Sequence, residues 1–303
     1  MRFSSNGKIL LSGEYLVLDG ADSLALPSKL TQELILRKCD DQIIEWQSID
    51  NDDNIWYEEK FYIQKNKFVY RGKKNKVSEK LILLFEHILK TKKYKDLLGN
   101  KFITKLNFGR DWGLGTSSTF VNNLAKWADV DPYQLLFSAF NGSGYDIACC
   151  DVNYPIIFNN YDNNISVEKT RFNPPFVDSL YLIYLEKKQN TYKSIKNYKS
   201  KKNTNKLKII EKINTITNSL INCKDLYEFE NLMKKHESIV SSLIGIESIQ
   251  QTTFKDYKNG KIKSLGAWGG DFILVTSNNN DLSYFRNKCL KLVFPLKDLV
   301  YLD

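Results

Sequence analysis

The stretch Gly113-Leu114-Gly115-Thr116-Ser117-Ser118-Thr119 sets two glycines ahead of four consecutive hydroxyl side chains. Glycine lets the backbone turn tightly and leaves its N–H groups bare. The residues that follow, Phe120 to Ala125, are compatible with a helix. A glycine turn feeding a helix N-terminus offers anion binding, because unsatisfied N–H groups and the helix dipole point the same way. The plainer reading is a turn with a Ser/Thr N-cap, and the stretch alone does not choose between them. Two familiar phosphate loops are excluded: no Lys precedes the Ser/Thr as a P-loop requires, and Ser118 stands where a dinucleotide fingerprint has its third Gly.

Three further segments carry groups capable of chemistry. Lys8 and Glu14 lie six residues apart around a strand and a Ser-Gly turn. In Gly142-Ser143-Gly144-Tyr145-Asp146, glycines put one carboxylate just past a helix break, an arrangement that also suits an Asx turn. Gly266-Ala267-Trp268-Gly269-Gly270 lies between two strand-like runs, where bare backbone can approach a ligand or simply form a hairpin connection. The two histidines are His87, among polar neighbours, and His236, on the apolar stripe of a helix, which reads as a core or semi-buried residue. A Ser/His/Asp or Cys/His hydrolase therefore has little support.

The 303 residues suffice for one large or two ordinary domains. With 42% apolar residues a sizeable core is within reach, yet no run approaches the ~20 residues of a membrane span. Glu14 interrupts the apolar Ile9-Leu10-Leu11 segment and no small-residue cleavage site follows, which argues against a signal peptide and for a cytoplasmic protein. The five cysteines are scattered without a CxxC pair, so neither a zinc site nor a disulfide framework is expected. The net charge of +9 is diluted by 35 acidic residues and no nucleic-acid motif accompanies it, so a nucleic-acid partner is not expected. A basic balance also suits small anionic substrates.

Positioning these groups requires a β-rich first section. Strand patterns cover Ile9 to Leu11, Leu24 to Pro27, 31–37, 42–47 and 55–70. Apolar residues at 77, 81, 84, 85 and 88 predict a helix, and 102–108 a strand leading into the glycine loop. Helices are expected over 118–128 and from Asp131-Pro132 to Phe140. Asn173-Pro174-Pro175 marks the expected boundary, giving domains 1–172 and 173–303. Beyond it come a strand at 180–185 and a polar stretch from Lys187 to Lys206 with eight lysines and no acid, which reads as a solvated, mobile loop. Two long helices (207–220 and 226–243), strands at 262–265 and 272–275, a helix over 281–290 and a terminal strand near 299–302 complete the chain. The order β-α-α-β-β-α-β predicts an α+β sandwich for the second domain.

Together the segments resemble the GHMP kinases, the superfamily of galactokinase, homoserine kinase, mevalonate kinase and phosphomevalonate kinase. The first motif looks like Gly7-Lys8-Ile9-Leu10-Leu11-Ser12-Gly13-Glu14-Tyr15, and the second, the ATP phosphate loop, like Gly113 to Ser118. The third is similar to Lys263-Ser264-Leu265-Gly266-Ala267-Trp268-Gly269-Gly270-Asp271, and Gly142 to Ala148 matches the superfamily's Ser-Gly-x-Asp element in the variant form Gly144-Tyr145-Asp146-Ile147-Ala148. The resemblance implies an α+β (α/β two-domain) fold: a ribosomal-S5-domain-2-like N-terminal ATP-binding domain and a ferredoxin-like C-terminal domain. It further implies ATP and Mg2+ as cofactors, Asp146 as the catalytic base and Lys8 as its electrostatic helper. Trp112, Gly113, Leu114, Gly115, Thr116, Ser117 and Ser118 would bind ATP, with Ser117 also a Mg2+ ligand. Glu14, Tyr15, Ser143, Gly144, Gly266, Trp268, Gly269 and Gly270 would contact the substrate.

Two departures bear on the substrate. Mevalonate kinases carry a Glu eleven residues before the catalytic Asp, and here that position is Leu135. Trp268 replaces a glycine of the third motif, which would narrow the site or stack on something. The missing Glu, the Gly-Ser-Gly-x-Asp wording and the Gly-Gly-Asp ending look more like phosphomevalonate kinase than mevalonate kinase. Lys187 and Lys188 would then meet a substrate phosphate, unless they belong to a solvated loop. The partners implied are ATP and a small anionic acceptor, phosphomevalonate or mevalonate; a GHMP-fold protein that binds without catalysis is the alternative.

Overall fold

The protein is described by a computed structural model covering residues 1–40, 42–187, 191–201, 205–268 and 270–303. The chain parts into two compact units that interleave in sequence. The first comprises 1–7, 30–110 and 115–151; the second comprises 8–29, 111–114 and 152–303.

Strands β1 (Arg2–Leu10) and β2 (Ser23–Lys38) contribute residues to both units. The first unit adds β3 (Ile44–Ile49), β4 (Ile55–Gln64), β5 (Lys67–Tyr70), α1 (Lys76–Ile88), a one-turn α2 (Tyr94–Leu97) and β6 (Asn100–Leu106). It closes with α3 (Thr116–Ala128), α4 (Pro132–Ala139) and one-turn α5 (Tyr145–Ala148). Its strands run in the order β5-β4-β3-β6-β2, with β3 and β6 parallel and the other neighbours antiparallel. The expected 3.6-residue periodicity is what buries the helices. Leu81, Leu84, Phe85 and Ile88 of α1 and Val121, Leu124, Ala125 and Ala128 of α3 enter one core with Trp46, Phe61 and Phe102. Asn75 caps α1 by accepting from the Ser78 N–H, and Asp131 caps α4 ahead of Pro132.

The second unit holds β7 (Ile156–Tyr161), which pairs with Ser23–Ala25 of β2, and β8 (Asn164–Lys169). Next come β9 (Leu180–Tyr184), α6 (Thr191–Ser200), α7 (Lys206–Asn222), α8 (Leu226–Ile244) and the short α9 (Ile249–Thr252). The last elements are β10 (Ile262–Ser264), β11 (Phe272–Thr276), α10 (Ser283–Asn287), β12 (Val293–Pro295) and α11 (Leu296–Leu299). The sheet order β10-β11-β9-β12, antiparallel throughout, with helices between β9 and β10 and between β11 and β12, is the ferredoxin-like arrangement.

Two expectations are corrected. The Lys187–Lys206 stretch is not simply a solvated loop, because α6 forms within it and Tyr198 is buried among Tyr15, Ile213 and Val240. Lysine heads can stay in water while Tyr198 anchors the helix. The terminal strand near 299–302 is also absent: the strand is Val293–Pro295, paired with β9, and Leu296–Leu299 is a helical turn. Pro295 has no N–H to continue the ladder, and Val300 makes only an isolated bridge to Ser28. Among the described residues no helix is long and apolar enough to cross a membrane.

Candidate active site

The glycine loop follows β6, with Asp111–Leu114 counted in the second unit and Gly115 onward in the first. Gly113 has φ +71°, and a Cβ there would sit 2.4 Å from Asp271 Oδ2, so only glycine fits. Gly115, at φ +91°, is the N-cap of α3 and supplies no side-chain acceptor, which leaves the first-turn N–H groups uncapped. Three of the four hydroxyls are committed to the protein. Thr116 Oγ1 donates to the Arg110 carbonyl, Ser118 Oγ to that of Gly115, and Thr119 Oγ1 to Gln32 Oε1 at 2.5 Å. Ser117 is exposed, and its hydroxyl makes no hydrogen bond among the described residues.

The buried polar residues of α3 explain how its N-terminus is held. Asn123 Nδ2 donates to the Gln32 carbonyl at 2.7 Å and its Oδ1 accepts from Ser5 Oγ at 2.8 Å. Asn122 Nδ2 reaches Ser5 Oγ and Asp151 Oδ1. These bonds satisfy groups that would otherwise be buried at a cost, and they fix the helix against β1 and β2 residues of its own unit.

In the second unit Lys8, on β1, grips the first half of the loop. Its N–H donates to the Leu114 carbonyl and its Nζ to the Gly113 carbonyl, both at 3.0 Å. Trp112, expected at the nucleotide, packs on Tyr184, Phe272 and Phe294 with ring centroids 5.5–6.1 Å apart. In the first unit Asp146 is half-buried on α5, entered through Gly144 at φ +95°. A Cβ on Gly144 would press to 3.1 Å on Tyr133, and Ser143 beside it is buried.

The Gly13–Leu16 segment is the most constrained turn in the second unit. Tyr15 has φ 64° and ψ −47°, and the Leu16 N–H donates to the Glu14 carbonyl at 2.8 Å. That is a γ-turn of the strained, positive-φ kind, unusual for an aromatic residue. Glu14, expected at the substrate, has 0% exposure. Its Oε1 accepts from Lys263 Nζ, and its Oε2 lies 3.2 Å from His236 Nε2, which also accepts the Gly13 N–H at 3.2 Å. Ser264 Oγ donates to Glu237 Oε2 beside them. Burial raises the Glu14 carboxyl and pushes that of Glu237 up to about 8, Lys263 opposing both; burial with the Lys263 charge holds His236 neutral.

The Gly266–Gly270 turn joins β10 to β11. Gly266 adopts φ +58° beside open space, and the Trp268 N–H donates to Tyr15 Oη at 3.3 Å. Trp268 is buried in a cluster with Tyr15, Leu16, Tyr198 and Val240. Lys187 is exposed, and its carbonyl accepts the Asp271 N–H at 2.7 Å. Lys188 and Gly269 lie outside the described residues. Sequence reasoning placed His236 in the core correctly but missed its neighbours Glu237 and Lys263. No local signal marked them, because a lysine within the strand run Ile262 to Leu265 reads equally well as a solvated strand lysine.

No protein-family model matches the sequence, and no curated protein matches it. Solved structures do. The Methanococcus jannaschii mevalonate kinase aligns at 16% identity over 97% of this chain and 96% of its own, with a TM-score of 0.66. The Streptococcus pneumoniae phosphomevalonate kinase, in complex with phosphomevalonate and AMPPNP, aligns at 14% identity over 98% of this chain and 100% of its own, TM-score 0.65. The Lactococcus lactis galactokinase complexed with galactose aligns at 14% over 94% and 87%, TM-score 0.66. The chain has the GHMP kinase fold. Structures sharing it hold different small molecules, galactose in one and phosphomevalonate with AMPPNP in another.

Proposed function

We propose that the chain is an ATP-dependent kinase of the GHMP type that transfers the γ-phosphate of ATP to 5-phosphomevalonate in isoprenoid precursor synthesis. The observation that carries the kinase reading is the uncapped N-terminus of α3, opened by two positive-φ glycines and bearing one uncommitted hydroxyl, Ser117. Such a cradle fits a triphosphate, since backbone N–H groups and the helix dipole face negative charge without a competing side chain. Phosphoryl transfer is mainly positioning and charge neutralisation, so a cradle, a lysine and one carboxylate suffice. Lys8 holds the loop through the Gly113 carbonyl and supplies positive charge. Asp146 takes the acceptor proton. Mg2+, when bound, would neutralise phosphate charge, with Ser117 as its protein ligand and waters and phosphate oxygens completing the shell.

The acceptor follows from motif detail. Leu135, at the position of the mevalonate-kinase Glu, is a core residue with 0% exposure, which supports a metal shell without that carboxylate. Lys187, exposed beside Asp271, supports an anionic acceptor. The decisive experiment offers ATP-Mg with mevalonate, 5-phosphomevalonate, homoserine or galactose to the purified protein. Turnover of 5-phosphomevalonate is expected; turnover of mevalonate but not its phosphate rejects the acceptor. Asp146→Asn is expected to lower kcat by about 10²–10⁴ while ATP still binds. Unchanged phosphotransfer in that variant rejects Asp146 as the base, and binding of ATP without turnover of any acceptor favours the non-catalytic alternative.

A further inference from the structure

Around the Gly13–Leu16 turn the second unit buries four groups that the phosphotransfer reading does not use as reactants. Lys263 is 1% exposed, His236 0% and Glu237 4%; Lys263 and His236 meet Glu14, and Glu237 accepts from Ser264, next to Lys263. Their origins are far apart: Glu14 follows β1, His236 and Glu237 lie on the buried stripe of α8, and Lys263 is the centre of β10. Buried charge is costly unless paired, and replacing such a pair by apolar groups is often neutral or stabilising. A fold seeking stability alone had a simpler solution here.

What the cluster holds is a strained backbone. The γ-turn at Tyr15 costs free energy that must be recovered from its surroundings. Its two flanks are each tied down: the Gly13 N–H to His236 Nε2, and the Glu14 side chain to Lys263. Gly13 itself cannot carry a side chain, since a Cβ would fall 2.1 Å from Ser23 Oγ. Lys263 lies in the strand that runs into the Gly266–Gly270 turn, and Tyr15 Oη accepts the Trp268 N–H of that turn. One buried ion pair thus fixes two loops expected to meet the acceptor. Orphaned polar atoms gather here as well. Glu14 Oε2, His236 Nδ1, Glu237 Oε1 and Trp268 Nε1 are buried with no hydrogen-bond partner among the described residues. Such groups mark strain or function more often than simple packing.

We propose that Lys263, Glu14 and His236 are positioning residues that lock the Tyr15 γ-turn and with it the acceptor-side loops of the second unit. The inference rests on the kinase reading for its functional consequence, but the locked turn does not depend on it. The test uses Glu14→Gln/Lys263→Met, which removes the buried charges together so that neither is left unpaired. Hydrogen exchange of the full chain is followed by mass spectrometry on peptides covering 12–20 and, as reference, 226–244. The double variant is expected to melt within about 5 °C of the parent. Exchange in 12–20 should speed about ten-fold while the α8 reference changes little. The acceptor KM should rise about ten-fold with the ATP KM within about two-fold.

Unchanged exchange in 12–20, or an equal rise in both peptides, overturns the lock. Faster exchange confined to 12–20 with both KM values rising alike overturns its acceptor-side role. Should the double variant fail to fold, Lys263→Arg, which keeps the charge, is expected to retain parental exchange in 12–20; loss there with a parental melting temperature also overturns the lock. If the parent turns over no acceptor, the kinase reading fails while the exchange measurement still decides the lock.

Discussion

In the first unit, helix α3 is held by hydroxyls and amides: Ser5, Gln32, Thr119, Asn122 and Asn123, each with its partner. In the second, the Gly13–Leu16 turn is held by charges: Glu14 against Lys263, with Glu237 and His236 alongside. Both devices fix backbone that chemistry would need fixed. None of those five side chains is charged, so no ion pair forms among them. The charged cluster has two carboxylates for one lysine, so it is electrically neutral only while one carboxylate keeps a proton. Neutral polar networks give rigidity that is indifferent to pH, whereas this charged one ties the turn to a proton.

The comparison is broken most severely by stranding a charge. Lys263→Met leaves Glu14 without its counter-ion, and a loss of about 3–5 kcal/mol in unfolding free energy is expected. Denaturant titration at neutral pH measures it. A loss below about 1 kcal/mol would mean that the Glu14 carboxyl is already protonated and the charge argument is wrong.

Glu237→Gln tests the proton directly. The carboxyl stands at about 8 in the folded protein against a reference of 4.5, so the folded state holds an extra proton between those values. Stability from this group is complete below pH 4.5 and is lost as pH rises through about 8. Each unit of raised pKa is worth about 1.4 kcal/mol, so the neutral variant should gain more than about 1 kcal/mol over the parent near pH 8.5. Its stability should also fall less steeply across that window. Parallel pH profiles for variant and parent would remove Glu237 from the account.

The two anchors differ as much in legibility as in chemistry. The loop on α3 could be read because its determinants are local: glycine spacing, hydroxyls and the helix pattern behind them fall within 113–125. Strand and helix periodicity likewise predicted an α+β sandwich for the second unit, with its last strand misplaced; the ferredoxin-like arrangement was implied by the family resemblance alone. The charged cluster joins residues up to 249 positions apart, and nothing local distinguishes Lys263 from a solvated strand lysine. His236 could be assigned to the core from its stripe, yet its partner Glu14 stands in another segment altogether. Helix α6 was hidden by its lysines, because composition outweighed the apolar anchor at Tyr198. The γ-turn at Tyr15 is illegible in principle, since no residue type there advertises positive φ.

On the neutral side, Asn123→Ala removes the donor to the Gln32 carbonyl and the acceptor of Ser5 Oγ. A loss of about 1–3 kcal/mol is expected, because buried groups are left unmet. Unlike the Glu237 effect, it should be the same at pH 5 and pH 8.5 to within about 0.5 kcal/mol. A strong pH dependence would show that Asp151, partner of Asn122 in the same network, brings charge into the anchor after all.

The smallest effect on the fold should come from Ser117. Its hydroxyl is exposed and uncommitted, so Ser117→Ala is expected to change unfolding free energy by less than about 0.5 kcal/mol. Thr119→Val, two positions further along the same helix, offers the contrast, because it deletes the bond to Gln32 and should cost about 1–3 kcal/mol. If Ser117 is the hydroxyl kept for a metal and phosphate, its removal should nonetheless lower phosphotransfer and raise the Mg2+ concentration needed for half-maximal rate. The separation matters more than either number: a residue whose loss costs activity without stability is facing a ligand. Were Ser117→Ala to destabilise the protein as Thr119→Val does, Ser117 would belong to the anchor, and the cradle would have no hydroxyl to spare.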